Sequence, residues 1–324
     1  MSKRIVYGWL LFLLAVAAIA GGGVFLALLI GYCSYQAGNE FVTMAQAKGY
    51  KPSPRIVRGM IIAFYAMAAL PSAIPGLHQA WNLVVEHFPV LNSTDEIVQH
   101  VMAVPWNFSL EHFPMLLLVG ICCSFFRLLF RQETPPATIA DISTTILGFI
   151  YIGFLPSHLI LLRNLALPAE AHLEDTLLQP GIAYVTTGLF AILATDIFAY
   201  LVGRKWGKTL LYPQVSPKKT VEGAIGGFVA SIFWATLTVW AFDAYFPGQP
   251  FKGKLWQAPL LGAVVSIASQ LGDLCESLLK RDAGMKDSST MLAGHGGFLD
   301  RGDSLLFGAP IAYYWICLVV LNIL

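Results

Sequence analysis

The stretch from Gly223 to Phe242, GAIGGFVASIFWATLTVWAF, runs for twenty residues without a charged side chain. At about 1.5 Å of rise per residue, a helix of that length matches the hydrocarbon core of a bilayer, about 30 Å thick. Backbone polar groups find no water there, so the chain must satisfy them internally, as a helix does. The stretch reads as a membrane-spanning helix, and it sets the reading of everything around it.

Segments of the same kind cover 8–21, 22–37, 59–79, 113–130, 138–162, 181–203, 223–246, 257–278 and 304–324. The expected architecture is an all-α polytopic transmembrane bundle of about nine spans, forming one integral membrane domain over residues 1–324. Composition agrees. The chain is 56% hydrophobic and 12% charged, about half the charge that a soluble globule carries. The first two spans are short and share Gly21, Gly22 and Gly23, so a re-entrant hairpin is an alternative there. Ala18-Ile19-Ala20 has the form of a signal-peptidase site, but the apolar run continues to Ile30, and the segment is expected to stay in the membrane. No internal repeat or low-complexity linker interrupts the pattern.

Basic residues orient the bundle. With nine spans and a cytoplasmic N-terminus, 17 of the 20 lysines and arginines fall in cytoplasmic segments, leaving only Arg163, Lys252 and Lys254 outside. The loop near 80–112 has no lysine or arginine. The formal net charge of +1 argues against nucleic acid as a partner. Cys33, Cys122, Cys123, Cys275 and Cys317 show no metal or disulfide spacing and read as small packing residues.

Chemistry-bearing residues concentrate in two cytoplasmic segments within 181–324, the expected catalytic half. The first begins inside a span with Asp196, continues through Gly203, Arg204 and Lys205, and ends in Ser216-Pro217-Lys218-Lys219-Thr220. A carboxylate two turns inside a span is costly unless it faces a polar interior or a cation; a packing pair with Arg204 or Lys205 is the plainer alternative. The Ser-Pro-Lys-Lys-Thr run reads as a short loop whose hydroxyls and ammonium groups suit phosphate oxygens, or more simply as a solvated basic loop.

In the second segment, Ser266, Ser269, Gln270, Asp273, Glu276, Ser277 and Lys280 recur at helical spacing and form one polar stripe. Such a stripe must line a cavity or contact other helices. It leads into Lys280-Arg281, Lys286-Asp287, Gly294-His295-Gly296-Gly297 and Asp300-Arg301-Gly302-Asp303. Asp300 and Asp303 stand one helical turn apart where the last span begins, a position that also suits helix capping with Ser304. His295, without histidine or cysteine partners, suits phosphate or a turn better than a metal. Several aspartates without soft ligands suit Mg2+, and nearby lysines and arginines suit a polyphosphate. Phosphoryl transfer needs this kind of positioning and charge neutralisation. No Gly-rich loop ending in Gly-Lys-Ser/Thr is present, which argues against an ordinary P-loop NTPase.

These residues resemble the CDP-diacylglycerol synthases (phosphatidate cytidylyltransferases). The resemblance rests on Gly272-Asp273-Leu274, Glu276-Ser277, Lys280-Arg281, Lys286-Asp287, Gly294–Gly297, Asp300-Arg301 and Asp303-Ser304. Upstream it extends to Asp196, Ala199-Tyr200, Gly203, Ser216–Thr220 and Glu222-Gly223. In the N-terminal half it is carried only by hydropathy and by Glu40 with Lys48-Gly49-Tyr50. Ala293 and Gly302 depart from the family pattern, where proline and an apolar residue are usual.

The resemblance implies CTP and phosphatidic acid as substrates, membrane lipid as surroundings and Mg2+ as cofactor. It implies Asp273, Asp287, Asp300 and Asp303 as metal ligands, with Asp273, Lys280, Asp287 and Asp300 catalytic. Asp196, Ser216, Lys218, Lys219, Thr220, Arg281, Lys286, His295 and Arg301 would bind substrate. A bacterial-type inner membrane with a cytoplasmic active site is expected, and a homodimer is left open. The alternatives are a CTP-dependent enzyme acting on another lipid and a transporter of an anionic solute.

Overall fold

The computed structural model describes residues 13–87, 108–132, 136–165, 179–246, 248–289, 291 and 296–323. Helix α1 occupies 13–21 and breaks at Gly22, whose φ of 104° no side-chain-bearing residue adopts readily. There follow α2 (Gly23–Ala47), α3 (Pro54–His87), α4 (Phe108–Leu129), α5 (Ile139–Asn164), α6 (Pro180–Trp206), α7 (Val221–Tyr245), α8 (Gln257–Asp282) and α9 (Leu299–Leu321).

From α3 onward every helix contains a segment long and apolar enough to cross a membrane, seven in all among the described residues. The protein is an all-α polytopic membrane protein. These seven match the expected spans from 59–79 onward, and α1 and α2 correspond to the first two.

Packing separates core from periphery. Within its apolar window α5 is 72% buried and α4 only 22%, so α5 is central and α4 lines the outside. Phe125, Phe126 and Leu129 of α4 and Val229 and Phe233 of α7 are exposed, as a lipid-facing surface requires. The core runs from Leu26 and Phe41 of α2 through Phe64 of α3 and Phe149 of α5 to Tyr313 of α9.

Contacts between helix ends define two faces. At one, Lys48 after α2 meets Asp282 of α8 at 2.9 Å. There too the Lys51 N–H donates to Asp141 of α5 at 2.6 Å, and Arg131 after α4 donates to the Lys51 carbonyl. Thr138 and Asp141 cap α5 reciprocally. At the other face Arg163 donates to the Ile19 carbonyl and to Gln179, and Tyr184 to the Pro250 carbonyl.

The run expected as a short loop before α7 is instead a two-stranded antiparallel ribbon, β1 (Leu210–Tyr212) and β2 (Ser216–Thr220). Three interactions outside the ladder hold it. The Glu222 carboxylate accepts the Lys208 and Thr209 N–H groups, the Val221 N–H donates to the Thr209 carbonyl, and Arg281 of α8 donates to the Val215 carbonyl. Thr220 then caps α7 by accepting from the Gly223 N–H.

Candidate active site

Helices α6 and α7 cross at glycines. A Cβ on Gly223 would stand 2.6 Å from the Ala199 carbonyl oxygen, and one on Gly227 would stand 2.5 Å from that of Thr195. Small residues four apart allow this close backbone approach. The crossing presses the ribbon and the end of α6 against the ends of α8 and α9, on the face that holds Lys48 and Asp282. Between these four elements lies a cavity of about 830 Å³.

Charged groups of both signs border it. Asp196, Asp273, Asp300 and Asp303 supply the acids, and Arg204, Lys218, Lys219 and Arg301 the bases. Lys219 of β2 forms an ion pair with Asp273 of α8, each side chain about a quarter exposed. Asp196 and the buried Ser304 of α9 both border the cavity, and the Ser304 hydroxyl donates to Asp303 at 3.3 Å. Arg204 and Lys205 do not pair with Asp196: Arg204 donates to the Tyr200 hydroxyl at 3.3 Å, and Lys205 lies over the Trp206 ring. Leu193 and Tyr200, both well exposed on α6, also border the cavity, so its rim meets the lipid-facing surface.

The polar stripe of α8 divides into two parts. Ser266 accepts from the Thr195 hydroxyl at 3.0 Å and from Gln270 at 3.1 Å, which makes its upper part a helix contact. Its lower part belongs to the site. Lys280 lies 2.6 Å from buried Glu276 and 2.7 Å from Asp300. The second contact is aligned as a hydrogen bond; the first is close but poorly aligned for one.

Asp300 is densely bonded. Its Oδ1 accepts from Lys280, and its Oδ2 accepts from the Ser288 N–H and hydroxyl and from the Gly297 N–H. Asp303 accepts from the Ser304 N–H at 2.7 Å.

Of the residues singled out from the sequence, Asp196, Lys218, Lys219, Thr220, Asp273, Asp300, Arg301 and Asp303 come together on this cavity. Lys280 stands behind it, between two carboxylates. Ser216 begins β2 away from the lining, and Arg281 bonds the Val215 and Met285 carbonyls. Lys286 and Asp287 are exposed and do not border the cavity. His295 and Ala293 lie outside the described residues, as does most of the 80–112 loop.

Among the described residues no three acidic, histidine or cysteine side chains converge closely enough to enclose a metal ion. The donor set nevertheless fits Mg2+, which is held by one or two carboxylates together with waters and substrate phosphates rather than by an all-protein cage. Asp273 and Asp303 offer hard oxygens on one cavity beside the lysines of β2.

One residue escaped sequence reasoning as part of the site's construction. Glu40 of α2 is buried, and its carboxylate accepts from the Ser288 and Ser289 hydroxyls at 2.8 and 2.6 Å. It also accepts from the Phe298 and Leu299 N–H groups, both at 2.9 Å.

A family model described as the cytidylyltransferase family matches residues 2–319. The chain is 32% identical over 333 residues to a phosphatidate cytidylyltransferase of Synechocystis sp., covering 98% of this chain and 97% of that one. It is 39% identical over 181 residues to a phosphatidate cytidylyltransferase of Bacillus subtilis, covering 56% of this chain and 60% of that one. It is also 39% identical over 200 residues to phosphatidate cytidylyltransferase 4, chloroplastic, of Arabidopsis thaliana, covering 58% and 49%.

Proposed function

The chain belongs to the cytidylyltransferase family, and on that footing we propose that it transfers a cytidylyl group from CTP to phosphatidate, giving CDP-diacylglycerol and pyrophosphate. The observation that carries this reading is the two-sided character of the cavity. Its floor is charged, and its rim carries Leu193 and Tyr200, exposed on a helix long and apolar enough to cross a membrane. A substrate with a phosphate head and acyl chains needs both, and a nucleotide arriving from water needs the first.

In this reading a phosphate oxygen of phosphatidate attacks the α-phosphorus of CTP. The bond from that phosphorus to the oxygen bridging the β-phosphate breaks, and pyrophosphate leaves with the electron pair. The nucleophile is already anionic, so no strong general base is required. The difficulty is repulsion between two polyanions, and Lys218, Lys219, Arg204 and Arg301 lower it by facing the same space. Lys219, paired with Asp273 in the free protein, exchanges that partner for a phosphate oxygen. Asp196 and Ser304 orient the head group from the α6 side. Asp273 and Asp303 would hold Mg2+, which supplies charge neutralisation on the triphosphate and on the departing pyrophosphate. Asp300 and Lys280 set the wall from which Arg301 and Asp303 project.

All the lining residues fall between Leu193 and Ser304, which supports 181–324 as the catalytic half of one membrane domain. Among the described residues the basic segments after α2, α4, α6 and α8 lie on the same face as the cavity, which supports a cytoplasmic site; a cytoplasmic N-terminus, with α1 and α2 completing nine spans, belongs to the same reading. A bacterial-type inner membrane is part of it too. The transporter alternative gains nothing from a cavity at one end of the bundle.

Purified protein given α-³²P-CTP, phosphatidic acid and Mg2+ tests the reading. Labelled CDP-diacylglycerol on a thin-layer plate, absent with Asp273→Ala, is the expected result. A folded wild-type protein that labels no lipid would refute it.

A further inference from the structure

We propose that Glu40 is a positioning residue for this reaction: from the N-terminal half of the chain it fixes the first turn of α9, which carries Asp300, Arg301 and Asp303. The proposal rests on the reaction proposed above for its catalytic consequence, but its structural part stands independently.

Four donors from one distant segment converge on the Glu40 carboxylate. Two are the hydroxyls of Ser288 and Ser289, and two are the N–H groups of Phe298 and Leu299. The N–H groups at the start of a helix have no partner within it, and α9 has no side-chain cap of its own. Glu40 provides that cap from another helix and places a negative charge where the helix dipole favours one.

The fit leaves no slack. A Cβ on Gly297 would run into both Glu40 and Ser288, so the backbone passes directly over the carboxylate. Asp300 follows immediately and shares Ser288 with Glu40, at 3.0 Å from the same hydroxyl. Moving Glu40 therefore moves the turn that bears three cavity-lining residues.

Holding α2 in place is not what requires this arrangement. Phe41, Val42 and Met44 beside Glu40 are buried in the apolar core and already hold this part of α2. A buried carboxylate is a costly way to join helices that apolar contacts join already. What it adds is directional control of the backbone at Phe298 and Leu299 and of the Ser288 and Ser289 side chains, worth most where small displacements of reacting groups are expensive.

The test compares full-length wild type with Glu40→Gln, Glu40→Asp and Ser289→Ala in detergent with phosphatidic acid. It measures kcat, KM for CTP and hydrogen exchange of peptides covering 285–305 and 208–222. Glutamine keeps the size but turns one acceptor into a donor facing donors. Its kcat should fall about 100-fold, as misplacement of reacting groups predicts. KM for CTP should change less than about threefold, because the lysines of β2 are untouched, a split that reports transition-state rather than ground-state loss. Aspartate should recover part of kcat. Exchange should rise in 285–305 and not in 208–222.

A folded Glu40→Gln with wild-type kcat overturns the proposal, and so does faster exchange spread evenly over both peptides. If Glu40→Gln does not fold, Ser289→Ala decides, since it removes one donor to Glu40: unchanged exchange in 285–305 with unchanged kcat overturns the idea. If the wild type makes no CDP-lipid, the reaction falls, and the exchange data alone judge the Glu40 tie.

Discussion

The ammonium of Lys280 stands 2.7 Å from the carboxylate of Asp300, so a cation from the end of α8 secures the first turn of α9. Glu276, fully buried one turn earlier on α8, lies on its other side. Lys280→Met would leave two carboxylates without their cation. Destabilisation of about 3 kcal/mol is expected, as for other broken buried pairs, together with loss of turnover. Adding Glu276→Gln should restore much of the thermal stability in detergent but not the activity. Equal stability of the single variant and wild type would show that the pair is not structural.

Lys218 and Lys219 are expected to act on CTP binding. Lys218→Ala and Lys219→Ala should each raise KM for CTP about tenfold, the equivalent of about 1.4 kcal/mol, with smaller effects on kcat. Asp273→Asn should instead abolish turnover while CTP still protects the protein against heating. A Lys219 variant with wild-type KM would remove that residue from the nucleotide's path.

The α6–α7 crossing sets the width of the cavity. Gly227→Ala places a methyl group against the Thr195 carbonyl and should destabilise by about 1–3 kcal/mol, as overpacking does. Because Thr195 precedes Asp196, activity should fall even at temperatures where the variant is folded. A melting temperature equal to wild type would show that the helices can separate at little cost.

Lys48 offers the contrast. Asp282 holds its ammonium above the ordinary lysine value of 10.5, first through a hydrogen bond and then through charge. A raised value in the folded state means that the pair's contribution is present below the unfolded value and is lost as pH rises through the folded one. It should therefore impose no pH dependence on stability near neutrality. Both partners are exposed, and such pairs are weak. Lys48→Met should leave activity within about twofold of wild type, since surface pairs contribute little; a large loss would show that α2 depends on this tie as well as on Glu40.

Hydropathy made most of the fold legible, because a long apolar run has few alternatives in a membrane. The ends were harder. The second span was expected to stop at 37, yet α2 continues to Ala47, because Asn39, Glu40 and Thr43 are polar and a hydropathy window ends where they begin. The partners that justify Glu40 lie far along the chain, beyond any local pattern. The ribbon at 210–220 was hidden for a related reason. Pro217, Lys218 and Lys219 have low strand propensity, and Glu222 and Arg281 supply the bonds that shape the segment. Within the site, charge and spacing identified Asp196, Asp273, Asp303 and the β2 lysines as a group. They did not reveal that Asp300 is occupied by Lys280, by the Ser288 N–H and hydroxyl and by the Gly297 N–H, since no local pattern brings Ser288 to it.

The Glu40 tie also has a consequence for biogenesis. Its carboxylate leaves the ribosome with α2, whereas the N–H groups of Phe298 and Leu299 follow 258 and 259 residues later. Until α9 is made, Glu40 lacks these two N–H donors and the cavity lacks one wall. Domains assemble as they are synthesised, and here two segments made far apart in time meet at one carboxylate. A nascent chain interrupted before α9 lacks Asp300, Arg301 and Asp303 of the cavity lining and should form no product.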